Sequence, residues 1–328
     1  MNKPLITVVM PAHNAAEFIQ SSIESVLNQT YQNIELIVID DHSTDSTSDI
    51  IQSQFKDNQH VHYYPAVKKN VSNARNQGIS LAKGSYISFL DADDTYNSSY
   101  IDTLLQGISG NDLSLCSFTS DFINTDEHIV NTFTIKGNVQ MKTLDSSFWK
   151  YFDQYIYNPC WNKLYRKDII DQYHVQFPVE QTMGEDLSFN LKYMVHCHSI
   201  AVINEPLYSY TRHANQTILK PDPHYYDSIE KMYMDIHTYM EANGFLTESF
   251  EEEWNHRFFK EIIRSISKIN QTGLALQEKK IYITKILNNK NVIANVAKQP
   301  NNLLTIMVRH KMIVSFIIMY RIYKLLKK

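Results

Sequence analysis

The stretch LITVVMPAHNAAEFIQSSIESVLNQTYQNIELIVI, residues 5–39, decides the fold class. Its two ends, residues 5–10 and 35–39, are continuous apolar runs rich in β-branched side chains, as is typical of strands covered on both faces. Between them, apolar side chains recur at helical spacing from Phe18 to Leu27. The stretch therefore predicts a strand–helix–strand unit in which the two strands run parallel.

The same alternation continues along the chain. The pattern predicts helices near 46–55, 73–82 and 98–107 and strands at 60–64, 86–90 and 113–118. This order is typical of an α/β fold with an open, mostly parallel sheet and helices on both faces. Residues 121–150 are poorly periodic and are expected to loop out with a hairpin. A helix near 186–196 and strands near 199–203 and 206–211 follow, and from about residue 223 the pattern is helical.

Composition limits the class of protein. The chain has 328 residues, of which 43% are apolar, enough for one large α/β domain with an appendage. The three cysteines are widely spaced and form no CxxC pair, which argues against a disulfide framework or a zinc site and favours reduced thiols. The first residues lack a basic segment followed by an apolar one, so a secretory signal is not expected.

Charge is distributed unevenly along the chain. The formal net charge is −4, yet no acidic residue follows Glu278, and residues 279–328 contain eleven Lys or Arg. Such asymmetry indicates that the C-terminal part meets a polyanionic surface.

Three polar clusters lie just after predicted strands: PAHN at 11–14, DDHSTD at 40–45 and DADD at 91–94. Ligands of open parallel sheets bind beyond the carboxyl ends of the strands. The first cluster could cradle a nucleoside or be an ordinary turn. In the second, a carboxylate of Asp40 or Asp41 could accept hydrogen bonds from a base or ribose, or could cap the next helix.

The third cluster contains three neighbouring carboxylates, Asp91, Asp93 and Asp94. They repel one another in a partly dry cleft unless a cation lies among them. Mg²⁺ and Mn²⁺ favour carboxylate oxygens and accept phosphate oxygens as further ligands, which a nucleotide diphosphate supplies. The cluster therefore indicates metal-assisted departure of a diphosphate, with a solvated acidic turn as the alternative.

Taken together, these motifs resemble the family 2 glycosyltransferases of bacterial surface-polysaccharide assembly. The likeness is carried by residues 8–47 and by NARNQGISLAKGSYISFLDADD at 73–94, in the order and spacing of the family. It covers residues 4–110 strongly and 158–218 moderately. It implies the GT-A fold, a Rossmann-like, mostly parallel open sheet, followed here by a helical C-terminal region. His13 stands where many relatives carry an aromatic residue.

The resemblance implies roles for individual residues. The donor nucleotide-sugar is expected to contact Pro11, Ala12, His13, Asn14, Asp41, Arg75, Asp91 and Arg212. The metal, Mn²⁺ or Mg²⁺, is expected on Asp93 and Asp91, with His213 as a further ligand; Asp94 would then support them. Arg75 could instead be a helix-surface arginine, and His213 could be structural.

Glu185 and Asp186 open a predicted helix and look like the acidic pair that supplies the general base of the family. Asp186 is the expected base, with Glu185 orienting the acceptor or Asp186; the alternative is that the acids merely favour the helix dipole. Trp161, Asn162 and Lys163 resemble an acceptor-side segment and suit a sugar-binding shelf. The alternative is a core tryptophan.

Residues 312–320 are apolar but too short to span a bilayer, and the end of the chain predicts a basic amphipathic helix. Such a helix could lie on a membrane surface or pack on protein. We expect a catalytic domain at residues 1–220 and a helical region at 221–328. The expected location is cytoplasmic and peripheral, at the inner face of the bacterial plasma membrane, and a homodimer is left open.

The sequence thus predicts an inverting, metal-dependent hexosyl- or N-acetylhexosaminyltransferase. Its donor would be a UDP-sugar and its acceptor a glycan or lipid-linked saccharide in capsule, exopolysaccharide, teichoic acid or lipopolysaccharide assembly. The alternative is a nucleotide-sugar-binding subunit without turnover. A dinucleotide-dependent oxidoreductase is disfavoured because no GxGxxG follows the first strand, and no nucleic-acid partner is expected because the basic residues are concentrated in an apolar tail.

Overall fold

The structure is a computed structural model that describes residues 3–123, 125, 127–213 and 222–315. The chain divides into two compact units, Met1–Glu180 with Glu185–Ala214, and Gln181–Gly184 with Asn215–Lys328. The catalytic domain at residues 1–220 and the helical region at 221–328 that the sequence indicates stay a prediction.

In the described part of the first unit, ten strands form one sheet. They are β1 Ile6–Ala12, β2 Ile34–Asp40, β3 Val61–Pro65, β4 Tyr86–Phe89, β5 Thr95–Tyr96, β6 Leu113–Phe122, β7 His128–Asn131, β8 Gly137–Gln140, β9 Lys163–Arg166 and β10 Ser199–Arg212. The main order across the sheet is β3-β2-β1-β4-β9-β6-β10-β5, with β7 on β6 and β8 on β10. Every residue of β1 and β2 is buried, as expected for strands covered on both faces.

The helices of this unit are α1 Ile19–Leu27, α2 Thr47–Phe55, α3 Val71–Leu81, α4 Tyr100–Ile108, α5 Met141–Asp145, α6 Phe148–Phe152, α7 Lys167–Gln172 and α8 Glu185–Met194. Helix α1 buries Ile19, Ile23 and Val26, which are one helical turn apart and form the stripe that the sequence predicted. The expected α/β class with a mostly parallel open sheet is confirmed. β1, β2, β3 and β4 run parallel, as do β6 and β10.

Two features differ from the sequence-based expectation. β9, a strand that the sequence did not predict, lies antiparallel between β4 and β6. At four residues, β9 is too short to reveal its alternation. The two strands expected at 199–203 and 206–211 are one strand, β10, whose register shifts on both sides of Pro206. Proline has no N–H to donate to the ladder, so within a strand that is paired on both sides it favours such irregular positions.

The expected hairpin at 121–150 is present, since β7 pairs antiparallel with the end of β6. The second unit is helical, as predicted: α9 Tyr225–Ala242, α10 Glu248–Gln271, α11 Leu276–Asn288, α12 Lys290–Lys298 and α13 Leu303–Arg309. Within the described ranges, no helix is both long and apolar enough to cross a bilayer. The predicted basic amphipathic terminal helix lies outside the described residues, which end at 315.

Candidate active site

The loops after β1 and β2 are tied together at the carboxyl ends of these strands. Pro11 and Ala12 end β1, and Asn14 adopts a left-handed conformation at φ 50°. The Asn14 N–H donates to Ser43 Oγ at 3.0 Å, and the Thr44 N–H donates to Asn14 Oδ1 at 2.7 Å. His13 Nδ1 donates to the Asp41 carbonyl at 2.7 Å. The predicted nucleoside-binding turn after β1 is therefore held by hydrogen bonds to the loop after β2.

The two aspartates after β2 have different surroundings. The Asp40 carboxylate accepts from the Ser43 N–H at 3.0 Å and from the Tyr63 hydroxyl at 2.9 Å, so it holds the turn. The buried Asp41 carboxylate accepts from the Asn70 N–H with both oxygens, at 3.0 and 3.1 Å. Asn70 caps α3, since its side chain accepts from the Ser72 N–H. Asp41 thus fixes the start of the helix that carries Arg75.

Arg75 is buried and lies among three carboxylates. Its Nη1 donates to Asp186 Oδ1 at 2.7 Å and to Glu185 Oε1 at 3.3 Å, and its Nη2 donates to Asp91 Oδ1 at 2.9 Å. The guanidinium also lies over the Phe177 ring, 5.3 Å from the centroid. Despite burial, the neighbouring Asp186 and the other acids raise the pKa of Arg75 further, so it stays charged. The alternative of a helix-surface arginine is wrong.

The acidic cluster after β4 divides into two parts. Asp91 and Asp93 are partly exposed, and Asp93 Oδ2 lies 2.8 Å from His213 Nε2. Burial, followed by the nearby Asp91, raises the pKa of Asp93. Asp94 is fully buried and accepts from the Tyr208 hydroxyl at 2.5 Å and from the Thr211 N–H at 2.7 Å. Asp94 therefore ties the cluster to β10.

Glu185 and Asp186 form the first turn of α8. Burial and then the negative charge of Asp186 raise the pKa of Glu185 to about 7, against the opposing effect of Arg75. Burial also raises the pKa of Asp186, and Arg75 opposes this as well. Asp186 Oδ2, the oxygen that Arg75 does not contact, receives the Cys160 N–H at 3.4 Å. Two carboxyl groups with raised pKa values thus lie beside one buried cation.

The predicted acceptor shelf at 161–163 needs correction. Asn162 and Lys163 have no exposed surface, so their side chains cannot touch an acceptor. Trp161 is 8% exposed and stacks on Tyr208 and Tyr210 at 4.2 and 5.4 Å between ring centroids, which matches the alternative of a core tryptophan. The polar rim that the sequence indicated lies inside the protein because this segment leads into β9, which begins at Lys163 in the middle of the sheet.

Lys163 instead holds the turn that precedes it. Its ammonium donates to the Pro159 carbonyl at 2.6 Å and to Asn162 Oδ1 at 2.9 Å. Asn190, on α8, donates to the same Pro159 carbonyl at 3.0 Å. Burial lowers the pKa of Lys163 to about 7. The two side chains fix the turn whose Cys160 N–H faces Asp186.

Arg212 and His213 follow the end of β10. The Arg212 guanidinium lies over Tyr210, 5.1 Å from the ring centroid, and its buried Nε has no hydrogen-bond partner. A buried donor without a partner is costly, so an anion at this place would be favoured. His213 stacks on Phe18 at 5.5 Å between centroids.

The donor set fits the expected divalent cation. Asp93 Oδ2 and His213 Nε2 lie side by side, as two adjacent ligands of one ion would, and Asp91 is two residues away on the same loop. Over the described ranges, no group of three or more His, Cys, Asp or Glu is arranged to hold an ion. Mg²⁺ and Mn²⁺ are commonly held by one or two protein carboxylates together with substrate phosphates. The residues therefore suit a cation whose coordination a diphosphate completes.

Comparison with known proteins shows the family of the chain. Residues 7–173 match the sequence model of the family described as Glycosyl transferase family 2. The chain belongs to this family. Glycosyltransferase GlyG of Streptococcus pneumoniae is 30% identical over 219 residues, which are 63% of this chain and 71% of the relative. The putative glycosyltransferase EpsH of Bacillus subtilis is 26% identical over 259 residues, 77% of this chain and 74% of the relative.

Solved structures show the same fold. Crystal structures of S. aureus TarS residues 1–349 in complex with UDP and with UDP-GlcNAc each have a TM-score of 0.67. They are 19% and 18% identical in sequence and cover 98% of this chain and 91% of the TarS chain. This family 2 glycosyltransferase thus has the expected GT-A architecture.

In this glycosyltransferase the structure brings together several of the predicted site residues, namely Asp41, Arg75, Asp91, Glu185 and Asp186. A continuous chain of contacts runs from Asp41 through Asn70 and α3 to Arg75, and from there to Asp91 and Asp186. Sequence reasoning missed Asn70, Cys160 and Asn190. Only Asn70 had a usable signal, as a capping residue two positions before Ser72 at the start of a predicted helix.

Proposed function

We propose that this family 2 glycosyltransferase moves a hexose or N-acetylhexosamine from a UDP-sugar to a hydroxyl group, with inversion at the anomeric carbon. The observation that carries the proposal is the position of Arg75, which contacts the diphosphate-side carboxylate Asp91 and the base candidate Asp186 at once. The UDP and UDP-GlcNAc complexes of TarS support the choice of UDP.

In the proposed reaction, Asp186 accepts the proton of the acceptor hydroxyl. The hydroxyl oxygen attacks the anomeric carbon from the face opposite the diphosphate, the bond from that carbon to the diphosphate oxygen breaks, and UDP leaves. Arg75 favours the charged form of Asp186 and orients it, since its guanidinium donates to one carboxylate oxygen. Glu185, held by the same guanidinium, orients Asp186 or the acceptor.

For the donor, we propose that Pro11, Ala12, His13 and Asn14 line the nucleoside, that Asp41 accepts from the base, and that Arg212 contacts the diphosphate. Mn²⁺ or Mg²⁺ would be held by Asp93, Asp91 and His213, and would stabilise the negative charge that develops on the departing diphosphate. Asp41 is already positioned by Asn70, and the unpartnered Arg212 Nε is a donor that an anion would satisfy.

The proposed acceptor is a glycan or lipid-linked saccharide of a bacterial surface polysaccharide, at the inner face of the plasma membrane. This rests on the sequence resemblance. The terminal helix expected to meet that membrane lies outside the described residues, and a homodimer stays a prediction.

A panel of nucleotide sugars tests the proposal. We expect release of UDP from one UDP-sugar, abolished by a chelator and restored by Mn²⁺ or Mg²⁺. With an acceptor, NMR of the product should show the anomeric configuration opposite to that of the donor. A product with retained configuration would contradict the mechanism, and tight UDP-sugar binding without any release over the whole acceptor panel would favour a binding subunit instead.

A further inference from the structure

Exposed apolar side chains are concentrated in one short part of the second unit. Among the large apolar residues exposed in the described ranges, five lie within residues 293–314: Ile293, Leu303, Ile306, Met312 and Val314. Leu303 is 67% exposed and Ile293 is 52% exposed. On α12, Lys290, Ile293 and Ala297 lie on one exposed helical stripe, and Leu303 and Ile306 are one turn apart on α13.

The same segment is basic. Lys290, Lys298, Arg309 and Lys311 are all exposed. In the described ranges none of these four forms an ion pair: Arg309 donates to Asn301, and Lys311 donates to Asn288. No acidic residue follows Glu278 anywhere in the sequence. We call α12, α13 and residues 310–314 the apolar–basic surface.

We infer that the apolar–basic surface docks on an anionic lipid bilayer, with its large apolar side chains in the interface and its cations at the lipid phosphates. Apolar insertion and attraction to anionic headgroups act together in such peripheral binding. The inference concerns α12, α13 and residues 310–314, and it does not depend on the predicted terminal helix.

A second copy of the chain is a less suitable partner for the apolar–basic surface than an anionic bilayer. A twofold-symmetric dimer through this surface would place the same patch against itself. Its cations would then face identical cations with no acidic residue of the segment to offset them, and like charges juxtaposed across an interface are unfavourable. A bilayer rich in anionic lipids supplies the missing negative charge.

Co-sedimentation of the full-length protein with lipid vesicles tests the inference. We expect binding to vesicles that contain phosphatidylglycerol, weak binding to pure phosphatidylcholine, and release as salt is raised. The double variant Ile293→Glu with Leu303→Glu should lower the partition coefficient about tenfold or more, because it removes two apolar side chains and adds two negative charges.

The matched control is the double variant Ile129→Glu with Val130→Glu. It adds the same two negative charges in place of two exposed apolar side chains, on β7 in the first unit. Both variants should keep the melting temperature of the parent, and the control should bind vesicles as the parent does. An equal loss of vesicle binding in the two double variants would overturn the inference. Equal binding of the parent to vesicles with and without phosphatidylglycerol would also overturn it. So would a dimer of the lipid-free parent that only the α12–α13 variant dissociates. Vesicle binding needs no turnover, so its failure is distinguishable from failure of the proposed sugar transfer.

Discussion

The Arg75 guanidinium donates to Asp186 Oδ1 at 2.7 Å while its other terminal nitrogen donates to Asp91 Oδ1 at 2.9 Å. The two carboxylates lie 95 positions apart in sequence, on the loop after β4 and on the first turn of α8. One buried cation therefore sets the distance between the acid that would face the leaving diphosphate and the acid that would take the acceptor proton.

Arg75→Lys should inactivate the enzyme. A lysine ammonium is a point charge without the planar fork, so it cannot hold Asp91 and Asp186 together. We expect kcat to fall about a hundredfold or more. Arg75→Met should in addition lower the free energy of unfolding by about 3 kcal/mol or more, because the carboxylates lose their buried partner. The control is Arg166→Lys at a more exposed ion pair with Asp168, where both quantities should hardly change. Parent-like kcat in Arg75→Lys would refute the bridging role.

The variant Lys163→Met tests whether Lys163 holds the 159–160 turn in place or contacts the acceptor. Relief of ammonium burial offsets the lost hydrogen bonds, so the free energy of unfolding should change by only about 1 kcal/mol. The 159–160 turn should loosen, and kcat should fall about tenfold while the KM values for donor and acceptor stay near those of the parent. Lys167→Met, on α7, is the control. A rise in acceptor KM without a change in kcat would instead show that Lys163 reaches the acceptor.

Asp93 and Asp94 should behave differently although they are adjacent. Asp94→Asn alters a fully buried carboxyl group bonded to Tyr208 and Thr211, so the melting temperature should fall by roughly 3 °C or more. Asp93→Asn affects a partly exposed group, and should keep the melting temperature but weaken Mn²⁺-dependent UDP binding at least about tenfold. Calorimetric titration with UDP, with and without Mn²⁺, checks this. If Asp93→Asn and Asp94→Asn lowered the melting temperature equally, the assignment of a structural role to Asp94 and a metal-binding role to Asp93 would be wrong.

The raised pKa of Glu185 predicts a pH dependence of stability. The folded-state pKa of about 7 exceeds the ordinary value of 4.5, so the folded protein holds this proton more tightly than the unfolded chain. The stability linked to it is fully present below about pH 4.5 and is lost as pH rises through about 7. Glu185→Gln lacks this group, so its free energy of unfolding relative to that of the parent should rise by roughly 2 kcal/mol between pH 5 and pH 8. Thermal melts of both proteins over this pH range measure the difference. A stability difference that is constant over this range would contradict the shift.

The sequence was informative where its patterns are local. β1 and β2 are long buried runs, and α1 has a clear apolar stripe, so the parallel half of the sheet followed from periodicity. β9 could not be foreseen in this way. Its four residues are too few to show alternation, and its place between β4 and β6 depends on long-range pairing.

The site shows the same limit. The strand-end aspartates were found because parallel strands deliver them to one edge. The burial of Asn162 and Lys163 was missed because polar side chains in a segment suggest exposure, whereas here their hydrogen bonds are satisfied internally by the Cys116 and Pro159 carbonyls. Residue type revealed the chemistry, but only the packing revealed which side chains face the cleft.

The most direct test of the account is the turnover of Asp186→Asn with the correct donor and acceptor. The substitution keeps the shape of the side chain and removes the carboxylate that would accept the acceptor proton. We predict that UDP binding remains within about threefold of the parent while acceptor-dependent UDP release falls by roughly a thousandfold. Unchanged acceptor-dependent release in a folded, UDP-binding Asp186→Asn protein would contradict the assignment of the base.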